Sequence, residues 1–185
     1  MNEILVHDAS RTIYLYDRID YEKTSSVIFN IMKIIDRDND TAEYCDDYKP
    51  KPIKLYISTD GGDVDAMWGL VDVITNSKTP IHTYCLGRSA SCGFAIFIAG
   101  HKRFITKHSK LMIHSSSTSG NMKKDIEQLN DLVRTMNDWE EEFYNYVINN
   151  TKISKEMLTN MRKYRKDWYI NAKQAIELGC ADEII

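Results

Sequence analysis

The chain is poor in residues that break or cross-link a backbone: among 185 residues there are three prolines, eight glycines and four scattered cysteines. That leaves no material for a Pro- or Gly-rich linker, so one domain over 1–185 is expected, large enough to bury most of its unfolded surface. Cys45, Cys85, Cys92 and Cys180 have neither the CxxC spacing of a zinc site nor the density of a secreted disulfide scaffold. They read as structural thiols, and no metal or other cofactor is expected.

Long apolar runs are also missing. No segment approaches the ~18 uninterrupted apolar residues that a membrane span needs, and the N-terminus carries charges where a signal peptide would be apolar. A cytoplasmic protein without a membrane partner is expected. The 24 basic and 27 acidic residues give a net charge of −3 with no long block of one sign. Nothing in that pattern forms a nucleic-acid footprint.

What is present is an alternation of short β-type runs and helical stripes. Residues 12–16 (TIYLY), 53–57 (IKLYI), 81–86, 103–106, 111–114 and 168–170 predict strands. Val27, Ile31, Ile34 and Ile35 predict a helix after the caps Thr24 and Ser25, and Val64, Met67, Leu70, Val71 and Ile74 predict another. A short helix is expected over 94–99, one over 154–166, and a last one capped by Asn171 and ended by Gly179. Residues 36–50 read as a polar surface loop. Asp36, Asp38 and Asp40 imitate the start of a calcium loop, but Thr41 stands where the turn glycine belongs and Asp47 where the bidentate Glu belongs.

Between these lies one long helical pattern. Ile126, Leu129, Val133, Met136, Phe143 and Val147 alternate by threes and fours with only Glu140 polar, and Leu132, Trp139 and Tyr146 form a second stripe. A helix apolar on two faces needs more cover than one small domain offers, so self-association is expected through one of them. Strands alternating with helices at these intervals argue for an α/β domain of parallel units, whose functional groups gather at the carboxyl ends of the strands.

Three such strand ends carry chemistry. Ser91 lies between a strand and a helix in Ser89-x-Ser91-x-Gly93, where small neighbours permit a tight turn that exposes a hydroxyl; alone, such a segment is ordinarily a helix cap. A serine hydroxyl needs a base, and His114, ending a short apolar strand, is the best placed of five histidines. The imidazole in turn needs a carboxylate, for which Asp167, just before Trp168-Tyr169-Ile170, is the candidate. Gly61 and Gly62 offer unshielded amides that with the amide of Cys92 would bind an oxyanion. The glycine pair lacks the Gly-x-x-x-x-Gly-Lys pattern of a phosphate loop, which removes nucleotide binding.

Taken in order, these segments resemble the Clp proteolytic-subunit (ClpP) family. Residues 55–62 are similar to its strand and Ser-Pro-Gly-Gly loop, 87–93 to its Gly-x-Ala-Ala-Ser-Met-Gly segment, and 112–114 to its Met-Ile-His. Residues 167–175 and 179–184 resemble its Asp-Arg-Phe-Leu-Ser-Ala-x-Glu-Ala and Gly-Leu-Val-Asp-x-Ile segments. The resemblance implies a crotonase-like fold of repeated ββα units with a protruding handle helix at about 122–150. It also implies an ATP-independent serine endopeptidase that cleaves unfolded polypeptides inside stacked heptameric rings, a tetradecamer, fed by an AAA+ unfoldase. It assigns Ser91 as nucleophile, His114 as base then acid, Asp167 as orienting acid, and Gly61 with Cys92 as oxyanion donors. Gly62, Asp63, Val64, Ser116 and Ser117 would flank substrate as strands.

Several positions depart from the family pattern. Asp60 replaces the loop proline and would oppose an oxyanion if its carboxylate turned inward. Ser115-Ser116 replace Gln-Pro, and the segment after them is serine-rich without paired glycines. Only residues 1–11 precede the first strand where the family carries a longer gating segment, which together with the Asn, Lys and Tyr content suggests a phage-encoded copy. Two other readings use the same fold: a catalytically weak or silent scaffold subunit, and a crotonase-type acyl-CoA enzyme, which needs oxyanion amides but no triad.

Overall fold

The structure is a computed structural model that describes residues 11–115, 125–164 and 166–185. Strands β1 (Thr12–Tyr16), β2 (Ile53–Thr59), β3 (Ile81–Ala90) and β4 (Lys102–Ile105) run parallel as successive neighbours, and the short β7 (Glu183–Ile184) pairs in parallel beyond β4. The sheet branches at β3. Its first half pairs with β4, while Arg88, Ser89 and Ala90 pair with β5 (Lys110–Ile113), which carries the antiparallel β6 (Trp168–Asn171).

The period-2 pattern of each strand divides the sheet into two faces. Ile13, Leu15, Ile53, Leu55, Ile57, Ile81 and Cys85 point into the core, where they meet α1 (Tyr21–Tyr44), α2 (Val64–Asn76) and α3 (Cys92–Ile98). The intervening residues turn the other way and build a ladder of aromatic side chains across four strands. Tyr14, Tyr56, Tyr84 and Phe104 stack with centroids 4.6 to 5.4 Å apart. Phe94 and Phe97 on α3 are fully buried, and truncating either to Ala would cost about 3–5 kcal/mol through lost burial and an unfilled cavity.

Two expectations need correction. Helix α1 begins at Tyr21, capped by Asp20, and Thr24 is a buried residue inside it whose hydroxyl donates to the Asp20 carbonyl. The helix also continues to Tyr44, through much of the segment expected as a loop. The reason is Asp38, a buried carboxylate that accepts both terminal guanidinium nitrogens of Arg11 at 2.6 and 2.7 Å, the Tyr48 hydroxyl at 2.7 Å and the Thr79 hydroxyl at 3.1 Å. This cluster ties the far end of α1 to the start of β1 and the turn before β3. An acid that reads as solvated is in fact what docks the helix extension.

Helix α4 (Ile126–Asn150) is capped by Asp125; residues 122–124 of the expected handle lie outside the described residues. Its two stripes are not both used along its whole length. Val147 is buried and Phe143, Tyr146 and Ile148 pack on the core, whereas Ile126 and Val133 are 78% and 57% exposed. The C-terminal half is therefore anchored and the N-terminal half is not. Glu140 is buried, accepting the Tyr144 hydroxyl at 3.1 Å and pairing with Arg162 of α5 (Lys155–Lys163) at 2.8 Å. Burial, with the Glu140 charge beside it, pushes the Tyr144 hydroxyl up to about 12, so it remains the donor in that contact. The chain closes with α6 (Ala172–Glu177), capped by Asn171 in a reciprocal capping box with Gln174. Among the described residues no helix is long and apolar enough to cross a membrane.

Candidate active site

Pairing of β3 with β5 brings Ser91 and His114 together. Ala90 and Met112 are partners in register, and the Ser91 amide extends the ladder by donating to the Met112 carbonyl at 2.9 Å. Each candidate thus stands just beyond the end of its strand, on adjacent strands. The Ser91 Oγ lies 2.8 Å from the His114 Nε2, a direct hydrogen bond between residues 23 apart in sequence. Ser91 has φ 55° and ψ −122°, a conformation that a non-glycine residue adopts at a cost of roughly 1–3 kcal/mol. Strained positions of this kind expose a nucleophile on a sharp strand-to-helix turn.

The glycine loop is fixed against the same turn. Gly61 has φ 104°, and a Cβ there would lie 2.7 Å from Ser91 Cβ, so only glycine allows this approach. Gly62 is pressed against the backbone of Ile19, which donates its amide to Gly61 O and accepts the Asp63 amide, both at 2.9 Å. The Cys92 thiol donates to Gly62 O at 3.3 Å, and burial pushes that thiol up, so it stays protonated as the donor. As the first residue of α3, Cys92 has an amide without an intrahelical acceptor. The Gly61 amide, by contrast, donates to Thr59 Oγ1 at 3.0 Å. For Gly61 to serve an oxyanion, that bond must be released or shared.

Asp167 is brought near but not joined. The Ile113–Trp168 pair of the β5–β6 ladder sets the next rung at His114 and Asp167. The Asp167 side chain is exposed, and among the described residues no hydrogen bond connects it to His114. Of the segments expected beside substrate, Asp63 caps α2 by accepting the Ala66 amide at 2.9 Å and donates its own amide to Ile19; with Gly62 O taken by Cys92 and Val64 the first residue of α2, the amides of Gly62 and Val64 are what remains for main-chain contacts. Ser116 and Ser117 lie outside the described residues.

Ser91, Cys92, His114, Gly61 and Gly62 line a cleft of about 990 Å³. One wall is apolar, made by Val64, Met67, Leu132, Met136, Trp139 and Phe143. A second, charged lip is made by Asp17, Arg18, Asp60 and Arg88. Asp60 does not turn inward: its carboxylate pairs with the Arg88 Nε at 2.9 Å, the two side chains being 75% and 48% exposed. Arg88 could have been found in the sequence, since it lies in the segment 87–93 around Ser91. Arg18 carried no such signal, because long-range pairing, of β1 with β2 and of Ile19 with Gly62, brings its segment to the cleft.

Comparison with known proteins bears on the family and the fold. The family model described as Clp protease matches residues 4–185. The ATP-dependent Clp protease proteolytic subunit 2 of Treponema pallidum is 31% identical over 139 residues, covering 73% of this chain and 67% of that relative. The ATP-dependent Clp protease proteolytic subunit of Deinococcus radiodurans is 26% identical over 179 residues, covering 95% and 80%. Among solved structures, a point mutant of ClpP1 from Listeria monocytogenes superposes with a TM-score of 0.79 at 20% sequence identity, covering 96% of this chain and 92% of that one. The fold is therefore the one the sequence resemblance implies, and the chain belongs to the Clp protease family.

Proposed function

We propose that this chain is the serine endopeptidase subunit of a chambered protease acting on unfolded polypeptides in the cytoplasm. The observation that carries the reading is the 2.8 Å contact between Ser91 Oγ and His114 Nε2 in the cleft that both residues line. In this reading His114 takes the Ser91 proton as Oγ attacks the scissile carbonyl, then delivers it to the leaving amine. Water, deprotonated by the same imidazole, hydrolyses the acyl-serine. The Cys92 amide stabilises the oxyanion, joined by Gly61 once its amide leaves Thr59; each such donor contributes about 3 kcal/mol. Asp167 closes the row from the adjacent rung, fixing the imidazole tautomer. Substrate lies extended along Gly62 and Val64, held through its backbone, which suits sequences of many kinds.

Assembly into stacked rings is supported by the exposed apolar end of α4, and an AAA+ unfoldase partner by the row of stacked aromatic side chains on the sheet face opposite the helices. Two observations favour a second reading, a weak or silent scaffold subunit: Asp167 is not bonded to His114, and the Gly61 amide is already engaged. A fluorophosphonate probe separates the two. Labelling of the native chain that disappears in Ser91→Ala, with parallel loss of fluorogenic peptide hydrolysis, is expected; a native chain that takes no label establishes the scaffold.

A further inference from the structure

We propose that Arg18 makes the cleft charge-selective, favouring polypeptide segments with an acidic side chain close to the scissile bond. This rests on the peptidase reading above and adds a substrate preference to it. The charges of the lip largely cancel in pairs. Asp60 pairs with Arg88, and Asp17 pairs with Lys23 at 3.0 Å. Asp63 uses its carboxylate on the N-terminus of α2, and Glu140, which also lines the cleft, pairs with Arg162. Arg18 is exposed, lines the cleft, and has no ion-pair partner among the described residues. One guanidinium therefore remains uncompensated where substrate enters.

The Arg18 backbone is held firmly. Ile19, the next residue, is fully buried and bonded in both directions to the glycine loop, through its amide to Gly61 O and its carbonyl to the Asp63 amide. Gly61 in turn lies beside Ser91, close enough that an added Cβ would meet the Ser91 side chain at 2.7 Å. The Arg18 backbone is thus tied to the glycine loop beside Ser91, so its guanidinium, free to change rotamer, stays within one side chain's reach of any extended peptide lying along Gly62. A planar guanidinium favours carboxylates and repels ammonium groups. Because the site is open to solvent, the preference is modest and falls with salt.

The test uses three blocked fluorogenic peptides that differ only in having Glu, Gln or Lys next to the cleaved bond, with both termini capped so that no terminal carboxylate contributes. For the wild-type assembly the kcat/KM ratio of the Glu to the Lys peptide is expected to be on the order of tenfold at low salt, carried mainly by KM. Arg18→Gln should bring the ratio near one, and Arg18→Glu should invert it. Binding of the same peptides to Ser91→Ala, read by fluorescence anisotropy, should follow the same order whether or not the wild type turns over. A ratio or binding order unchanged by Arg18→Glu overturns the proposal. Absence of turnover with the binding order intact would instead count against the peptidase reading alone.

Discussion

Asp167 stands one rung beyond the Ile113–Trp168 pair, directly across the β5–β6 ladder from His114, and yet its carboxylate faces solvent. The two are neighbours through the backbone and separate through their side chains. Two β-strands can hold two side chains in this relation because the ladder fixes Cα positions while leaving an exposed side chain free.

Asp167→Asn tests whether that carboxylate joins the reaction. An acid that orients the base contributes roughly 10²- to 10⁴-fold, so kcat is expected to fall within that range with KM little changed and Ser91 still slowly labelled by a fluorophosphonate. The pH profile should also alter, because the imidazolium loses its stabilising partner. Unchanged kcat would show that Asp167 is a surface acid.

The Asp60–Arg88 pair makes a second prediction. Asp60 precedes Gly61, so an unpaired carboxylate at that position would oppose negative charge developing at the oxyanion. Arg88→Gln is expected to lower kcat on an uncharged peptide about two- to fivefold, a small effect because solvent screens both groups. Removing the acid as well, in Asp60→Asn with Arg88→Gln, should restore the rate. Equal loss in the single and double variants would show that Arg88 acts in another way.

Much of this arrangement is legible in the sequence, for identifiable reasons. Strand and helix order follows from periods of two and near four, and the Ser91–His114 meeting follows from both standing at strand ends. What is hidden depends on long-range pairing. Asp38 reads as one more loop acid because its partners Arg11 and Thr79 are 27 and 41 residues away. Tyr14, Tyr56, Tyr84 and Phe104 read as ordinary strand residues until the register aligns them in one row. The engagement of Gly61 by Thr59 is likewise a matter of hydroxyl direction that no spacing reveals.

Asp38 also predicts acid sensitivity. Burial by itself pushes its carboxyl up, but the hydrogen bonds from Arg11, Tyr48 and Thr79 and the guanidinium charge outweigh this and hold it below the usual aspartate range. A folded pKa below the unfolded one gives stabilisation that is fully present above about pH 4 and is lost as pH falls through the folded value. Asp38→Asn should therefore destabilise by roughly 3 kcal/mol near neutral pH, since Arg11 loses its partner in a partly buried position. Its melting temperature should also vary less with pH than that of the wild type. Asp182, likewise held low by its bonds to Arg103, would keep a residual acid dependence. Identical pH dependence of melting in the two proteins would rule out this account.

The last prediction concerns assembly. Ile126, Leu129 and Val133 lie on the half of α4 that leaves the core, and among the described residues nothing covers them, so their apolar area is available to another molecule. Val133→Asp places a charge in the middle of that strip. Burying an unpaired carboxylate against an apolar partner costs several kcal/mol, whereas leaving it in water costs almost nothing. The substitution should therefore spare the fold and disrupt association, giving unchanged helical circular dichroism with a shift to smaller species in sedimentation velocity. Fluorophosphonate labelling of Ser91 would show whether the Ser91–His114 contact needs the assembly. A sedimentation profile matching the wild type would mean that the exposed half of α4 is not an interface between copies.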